Sequence, residues 1–117
     1  MSSFNGVIIM NELEKTNHII LLIDMYGDLL TEKQQNYLGM YYEEDLSLAE
    51  IAEILDVSRN AVHDQIKRAL IALEGYEAKL GLIKKHQERL DLIKKIEDTQ
   101  KEDHSSLQTY LERLKEI

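Results

Sequence analysis

The stretch Ser47–Ala69, SLAEIAEILDVSRNAVHDQIKRA, decides how this chain folds. Ser47 with Glu50 three residues on is a capping box: the hydroxyl accepts a free backbone N–H, and the carboxylate reaches back to the serine N–H. Leu48, Ile51, Ala52 and Leu55 then recur on one face at helical spacing. Asp56-Val57 marks a turn, and Ser58 is placed to cap a second helix with the apolar stripe Ala61, Val62, Ile66, Ala69 and Leu70. The pattern is that of a helix-turn-helix. Ala52 supports it, because helices crossing at about 90–120° over a short turn approach closely and need a small residue there. Many such turns place glycine four residues after that alanine, where the chain goes left-handed. Asp56 stands in that place, and aspartate visits the conformation more readily than most side chains.

The outer face of the second helix carries Arg59, Asn60, His63, Asp64, Lys67 and Arg68. If this is a recognition helix, its N-terminal residues enter the major groove. Arginine then suits guanine, and asparagine suits adenine. The competing reading is the polar outer face of any amphipathic helix, and Asp64, which would repel phosphates, leans that way.

The bulk composition narrows the fold. The chain has 117 residues, no proline, no tryptophan and five glycines. Leu, Ile, Glu and Lys dominate, so an all-α protein is expected. With no cysteine there is no disulfide, zinc finger or thiol nucleophile. No apolar run approaches the roughly 20 residues of a membrane span, so membrane insertion is excluded and a cytoplasmic location is expected. The net charge is −8, which sits awkwardly with nucleic-acid binding, because phosphate contacts carry most of that affinity. Residues 1–46 hold eight acids and two bases, residues 47–75 five and three, and residues 76–117 nine and nine. Only a local patch from Arg59, Lys67, Arg68, Lys84, Lys85 and Arg89 remains available for phosphates.

Outward from the central stretch, residues 1–10 show no helical period and no signal-peptide pattern; a disordered or loosely docked leader is expected. Asn11 with Glu14 opens a first long helix, whose wide apolar face (Ile19, Ile20, Leu22, Ile23, Tyr26, Leu29, Leu30) predicts that it is largely buried. Thr31 with Gln34 makes another capping box, for a second helix to about Tyr42 in which Leu38, Tyr41 and Tyr42 face the core. Tyr37, Tyr41 and Tyr42 could serve as a stacking platform for bases; packing at the core edge with wet hydroxyls is the commoner role of such rings. These elements make 11–75 a helix-turn-helix domain.

Residues 76–117 read as a helical arm or as dimerisation helices. A long helix to about Gln100 is expected, with Gly75 and Gly81 its only breakers. A polar break at Lys101–Ser106 follows, and Ser105 or Ser106 caps a last helix carrying Leu107, Tyr110, Leu111, Leu114 and Ile117. This amphipathic arm either folds back on the preceding domain or offers a homodimer surface.

No catalytic constellation is present. His18, His63, His86 and His104 are scattered, without metal-ligand spacing, and no glycine-rich phosphate loop occurs. The carboxylates form charge runs on helix faces. No enzyme, cofactor or metal site is expected.

From Leu30 to Leu80 the chain resembles region 4 of bacterial sigma factors. The resemblance rests on Leu30-Thr31-x-x-Gln34, Leu48-Ala49-Glu50-Ile51-Ala52, Val57-Ser58-x-x-x-Val62 and Ile66-x-Arg68-Ala69. The polymerase-binding region 2 of a working sigma factor is missing. A closer resemblance, from Asn11 on, is to the YlxM family. It is carried by Glu14-Lys15-Thr16, Leu29-Leu30-Thr31-x-Lys33-Gln34-x-Asn36-Tyr37, Tyr41-Tyr42-x-x-Asp45, Ser47 to Ala52, Val57-Ser58-Arg59-x-Ala61-Val62 and Tyr76-Glu77-x-Lys79-Leu80. Members are small helix-turn-helix proteins of Gram-positive bacteria whose genes commonly neighbour those of the signal recognition particle. The resemblance implies a sigma region 4-like bundle and a regulatory or accessory role in that targeting pathway, through its RNA or its GTPase. Where members commonly carry Gln-Ala-Val-Tyr-Asp-Asn, this chain has Asn60 to Gln65 as NAVHDQ.

Two functions compete at this point. One is a regulator that binds DNA or RNA through the second helix of the motif. The other is a protein–protein adaptor of the particle, using the motif as scaffold and its acidic N-terminal half to meet a basic partner. The net charge and Asp64 favour the second.

Overall fold

The computed structural model describes residues 11–102 and 106–117, all of whose regular elements are helical. The expected leader, 1–10, lies outside the described residues. Among the described residues six α-helices follow one another: α1 Glu12–Tyr26, α2 Glu32–Leu38, α3 Leu48–Leu55, α4 Arg59–Leu80, α5 Leu82–Glu102 and α6 Leu107–Glu116. The chain divides into two compact units between Leu80 and Gly81.

The first four helices start where their caps dictate. Asn11 Oδ1 accepts the Glu14 N–H at 2.8 Å and opens α1. Thr31 and Gln34 close a reciprocal capping box on α2, with both bonds at 3.1 Å. Ser47 and Glu50 do the same for α3, again at 3.1 Å. Ser58 Oγ accepts the Ala61 N–H at 3.0 Å and starts α4. Each such cap holds a backbone donor that would otherwise go unpaired, a stabilisation of about 1 kcal/mol.

The turn between α3 and α4 rests on Asp56, which is left-handed at φ 56°, ψ 49°. The Val57 N–H reaches the Ala52 carbonyl at 3.0 Å and the Asp56 N–H reaches that of Glu53 at 3.4 Å, the paired bonds of a Schellman ending. Aspartate therefore does here what glycine does elsewhere. Asp56→Gly is expected to leave the urea midpoint unchanged or raise it. Asp56→Val, which puts a β-branched side chain at positive φ, should cost about 1–3 kcal/mol in the same measurement.

A second left-handed aspartate, Asp45 at φ 59°, follows a π-helical turn over Gly39–Glu43. The Glu44 N–H bonds the Gly39 carbonyl at 2.9 Å and the Leu46 N–H bonds that of Met40 at 3.0 Å. This wider turn corrects two expectations about the tyrosines. Tyr37 and Leu38 are the buried residues of the segment, whereas Tyr41 and Tyr42 are only half-buried. The extra residue per turn swings Tyr41 and Tyr42 off the face that α2 buries.

In the first unit α4 is the shared element, packing on α1, α2 and α3. Tyr26, Leu22, Leu38, Ile51, Leu73 and Val62 form its fully buried centre. The expectation of a largely buried α1 fails. Of that helix only Leu22 and Tyr26 are buried, while Ile20 and Met25 are 39% exposed and Leu13 is 69% exposed. A single neighbouring helix covers one stripe of α1, not its whole apolar arc. Polar latches tie α1 and the turn after it to the far half of α4. His18 Nε2 lies 2.8 Å from Glu74 Oε1, the Tyr26 hydroxyl donates to Glu77, and the Tyr76 hydroxyl donates to the Leu29 carbonyl at 3.4 Å.

The arm also departs from expectation. Gly75 sits inside α4 without breaking it, and the break falls at Gly81, left-handed at φ 62°. The expected single helix is therefore two. In the second unit α5 and α6 pack on each other, Leu92 is buried, and Arg89 donates to the Ile117 carbonyl at 3.4 Å. Of the two caps expected for α6, Ser106 makes no side-chain cap bond, because its backbone is already α-helical (φ −89°, ψ −8°). Ser105 and the middle of the expected polar break lie outside the described residues.

Candidate nucleic-acid interface

The geometry of the α3–turn–α4 motif follows from its caps. Ser58 holds the first turn of α4, so Arg59 and Asn60 stand at the exposed N-terminal end of a 22-residue helix. Val62, Ile66, Ala69 and Leu73 bury one face of it. The rest of the circumference carries Arg59, His63 and Lys67 in one i, i+4 row and Asn60, Asp64 and Arg68 in the next, all six exposed. All six sequence-selected side chains are open to water, in a stripe about half the helix circumference wide with Arg59 and Arg68 at its two edges.

The stripe holds three permanent cations and one carboxylate. His63 and Asp64 are 63% and 67% exposed, with Nδ1 and Oδ1 3.9 Å apart. That distance is too long for a hydrogen bond, and it becomes an ion pair only when the imidazole is protonated. No ion pair engages Arg59, Lys67 or Arg68 among the described residues, so their donors face solvent. Helix α4 adds the partial positive charge of its N-terminus beneath Arg59, where its first N–H groups lack intrahelical partners. The stripe can therefore grip an anion locally even though the whole chain is acidic.

Beside the stripe lies a groove of about 470 Å³ that the sequence did not announce. Tyr41, Tyr42 and Leu48 form one wall, and Ile66, Leu70 and Ile71 form the other. His63 and Lys67 belong to both the groove and the stripe. The two tyrosine rings meet edge to face, with centroids 4.9 Å apart. Burial, and to a lesser degree its neighbour Tyr41, raise the Tyr42 pKa above the ordinary phenol value; like any phenol, its hydroxyl is a donor at neutral pH. The available signal was Ile71, an isoleucine 62% exposed in mid-helix.

A different cleft, about 640 Å³, opens between α1, α2 and the π turn. Asp24, Asp28, Glu43 and Glu44 line it over apolar side chains including Ile23, Leu30 and Met40, and no cation lines it. The described residues contain no cluster of three or more histidines and carboxylates able to hold a metal. None of the described helices is long and apolar enough to cross a membrane.

Comparison with known proteins places this arrangement in a family. The model of the UPF0122 family, described as "Putative helix-turn-helix protein, YlxM / p13 like", matches residues 13–113. The chain belongs to the UPF0122 family. A UPF0122 protein of Oceanobacillus iheyensis is 45% identical over 105 residues, covering 90% of this chain and 98% of that protein. One from Caldanaerobacter subterraneus is 58% identical over 78 residues, 67% of each chain. One from Bacillus mycoides is 52% identical over 91 residues, 78% of this chain and 83% of its own. The resemblance to YlxM and the all-α expectation are both met. The UPF0122 match spans both units, so the arm after Leu80 belongs to the family pattern as much as the helix-turn-helix does.

Proposed function

We propose that this UPF0122 protein is a non-enzymatic nucleic-acid-binding regulator acting in the cytoplasm. One observation carries the reading: a doubly capped helix-turn-helix leaves Arg59, Asn60, His63, Asp64, Lys67 and Arg68 open to water in two adjacent rows at the start of its second helix. Arg59 and Asn60 would read bases, while Lys67 and Arg68 would hold phosphates. The signal recognition particle pathway is the proposed setting, supported by the YlxM resemblance, with the particle's RNA as first ligand to try. Binding of that RNA to the full chain, followed by fluorescence anisotropy as salt is varied, tests the proposal. Salt-sensitive binding that weakens on Arg59→Ala and Lys67→Ala is expected; binding indifferent to both changes removes the stripe from the interface. Pairing of two copies through 76–117 belongs to the same reading, and a monomeric mass in solution would remove it.

The acidic cleft favours a second reading, an adaptor that meets a basic protein surface. Its four carboxylates have no cation among them, and the chain carries −8 overall. The RNA-binding domain of the particle's GTPase subunit is the proposed partner. Purified and nuclease-treated, that domain should still bind, and Glu43→Lys with Glu44→Lys should abolish the complex. A complex that vanishes with nuclease instead returns the contact to nucleic acid.

A further inference from the structure

The groove beside the stripe asks for a ligand that the stripe alone does not explain. Its walls are nearly all carbon: Tyr41 and Tyr42 on one side, Ile66, Leu70 and Ile71 on the other. Its solvent edge is shared with the exposed His63 and Lys67, which carry donors for phosphate. A flat apolar ligand attached to a phosphate chain satisfies both halves at once. An unstacked nucleobase is such a ligand. Every base has a π-face that stacks on tyrosine, and such stacking is worth about 1–3 kcal/mol per base.

The polar groups at the margin fit the same occupant. The Tyr42 hydroxyl, kept protonated, can donate to a ring nitrogen or carbonyl of the base. Glu74 lines the groove with its carboxylate steadied by His18 at 2.8 Å, an acceptor in a fixed position for an exocyclic amine. RNA is the source favoured, because its loops and bulges present bases already free of their partners. Duplex DNA must first unpair and unstack one, at a cost of a few kcal/mol.

We infer that the Tyr41–Tyr42–Ile71 groove holds one unpaired base of an RNA whose phosphates run along Lys67 and His63. This rests on the nucleic-acid reading above and narrows it to a structured RNA with a looped-out residue.

The test uses the full chain and four probes of related sequence: an RNA hairpin with one bulged 2-aminopurine, the same hairpin fully paired, the matching single-stranded DNA and the DNA duplex. The bulged RNA should bind about tenfold more tightly than the paired one, with quenching of the 2-aminopurine as it stacks. Ile71→Ser, at an exposed position and without added charge beside Lys67, and Tyr41→Leu, which removes only the ring, should erase that preference while leaving paired RNA bound as before. Circular dichroism melting would verify that both variants fold.

Equal binding of bulged and paired RNA, with Arg59→Ala still weakening both, overturns the base pocket alone. No binding of any probe at low salt overturns the pocket and the nucleic-acid reading together. Single-stranded DNA bound more tightly than the bulged RNA overturns the RNA assignment. If Ile71→Ser alters the mass in solution and leaves RNA binding untouched, the groove is a contact between copies, and the inference falls.

Discussion

Replacing Leu73 with alanine is expected to lower stability by about 2–5 kcal/mol, the range for a large aliphatic side chain removed from a closed core. Leu73 is fully buried on α4, the helix that α1, α2 and α3 all pack against. The cavity would open where these layers meet, and a rigid helix gives little room for collapse. A small domain has only about 5–15 kcal/mol in total. In a domain of this size each lost kcal/mol lowers the melting temperature by about 4–8 °C, so a fall of more than 10 °C is expected. Ile71→Ala, two residues away but 62% exposed, should stay within about 0.5 kcal/mol of the parent. Thermal melts of the two variants side by side make the comparison. Equal losses would mean that α4 is not the hub of the unit.

The double substitution Arg59→Ala with Lys67→Ala should reduce affinity for nucleic acid by tenfold or more near physiological salt, without changing the melt. Both side chains are exposed, and neither supports the core. Each phosphate contact releases condensed counterions, so log affinity falls with log salt at a slope of about 0.7–0.9 per contact. With Lys67 on a phosphate and Arg59 on a base, the double variant should flatten that slope by about one such increment and lose discrimination between sequences. If Arg59 holds a phosphate instead, the slope should flatten by about two, with discrimination kept. The slope therefore separates the two roles that the geometry allows to Arg59.

Much of the fold was legible because its signals are local. The pairs Asn11/Glu14, Thr31/Gln34 and Ser47/Glu50, and Ser58 by itself, each mark a helix start, and all four caps form. Asp56 was legible as a left-handed turn from the helix-turn-helix spacing. The same device at Asp45 was not, since nothing in GMYYEED separates a π turn from an ordinary helix end. Glycine read in isolation misled as well. Gly75 costs α4 a little helix propensity and stays helical, while Gly81 takes the positive φ that ends it. The exposure of Arg59, Asn60, His63, Asp64, Lys67 and Arg68 was legible, because 3.6-residue spacing sorts α4 into a buried and an exposed side. The groove was not, for it is made where a π turn sets Tyr41 and Tyr42 opposite a helix some 25 residues further along the chain. Long-range pairing of that kind leaves no periodic trace.

Helix α4 has a mechanical side. Its 22 unbroken residues make a rod about 33 Å long at 1.5 Å per residue. One end carries the cationic stripe, and the other is pinned to α1 and its following turn through Glu74, Tyr76 and Glu77. Between the two ends, Val62, Ile66, Ala69 and Leu73 clamp it along three turns of core. The exposed tip at Arg59 and Asn60 is therefore held at a fixed distance from the latched end.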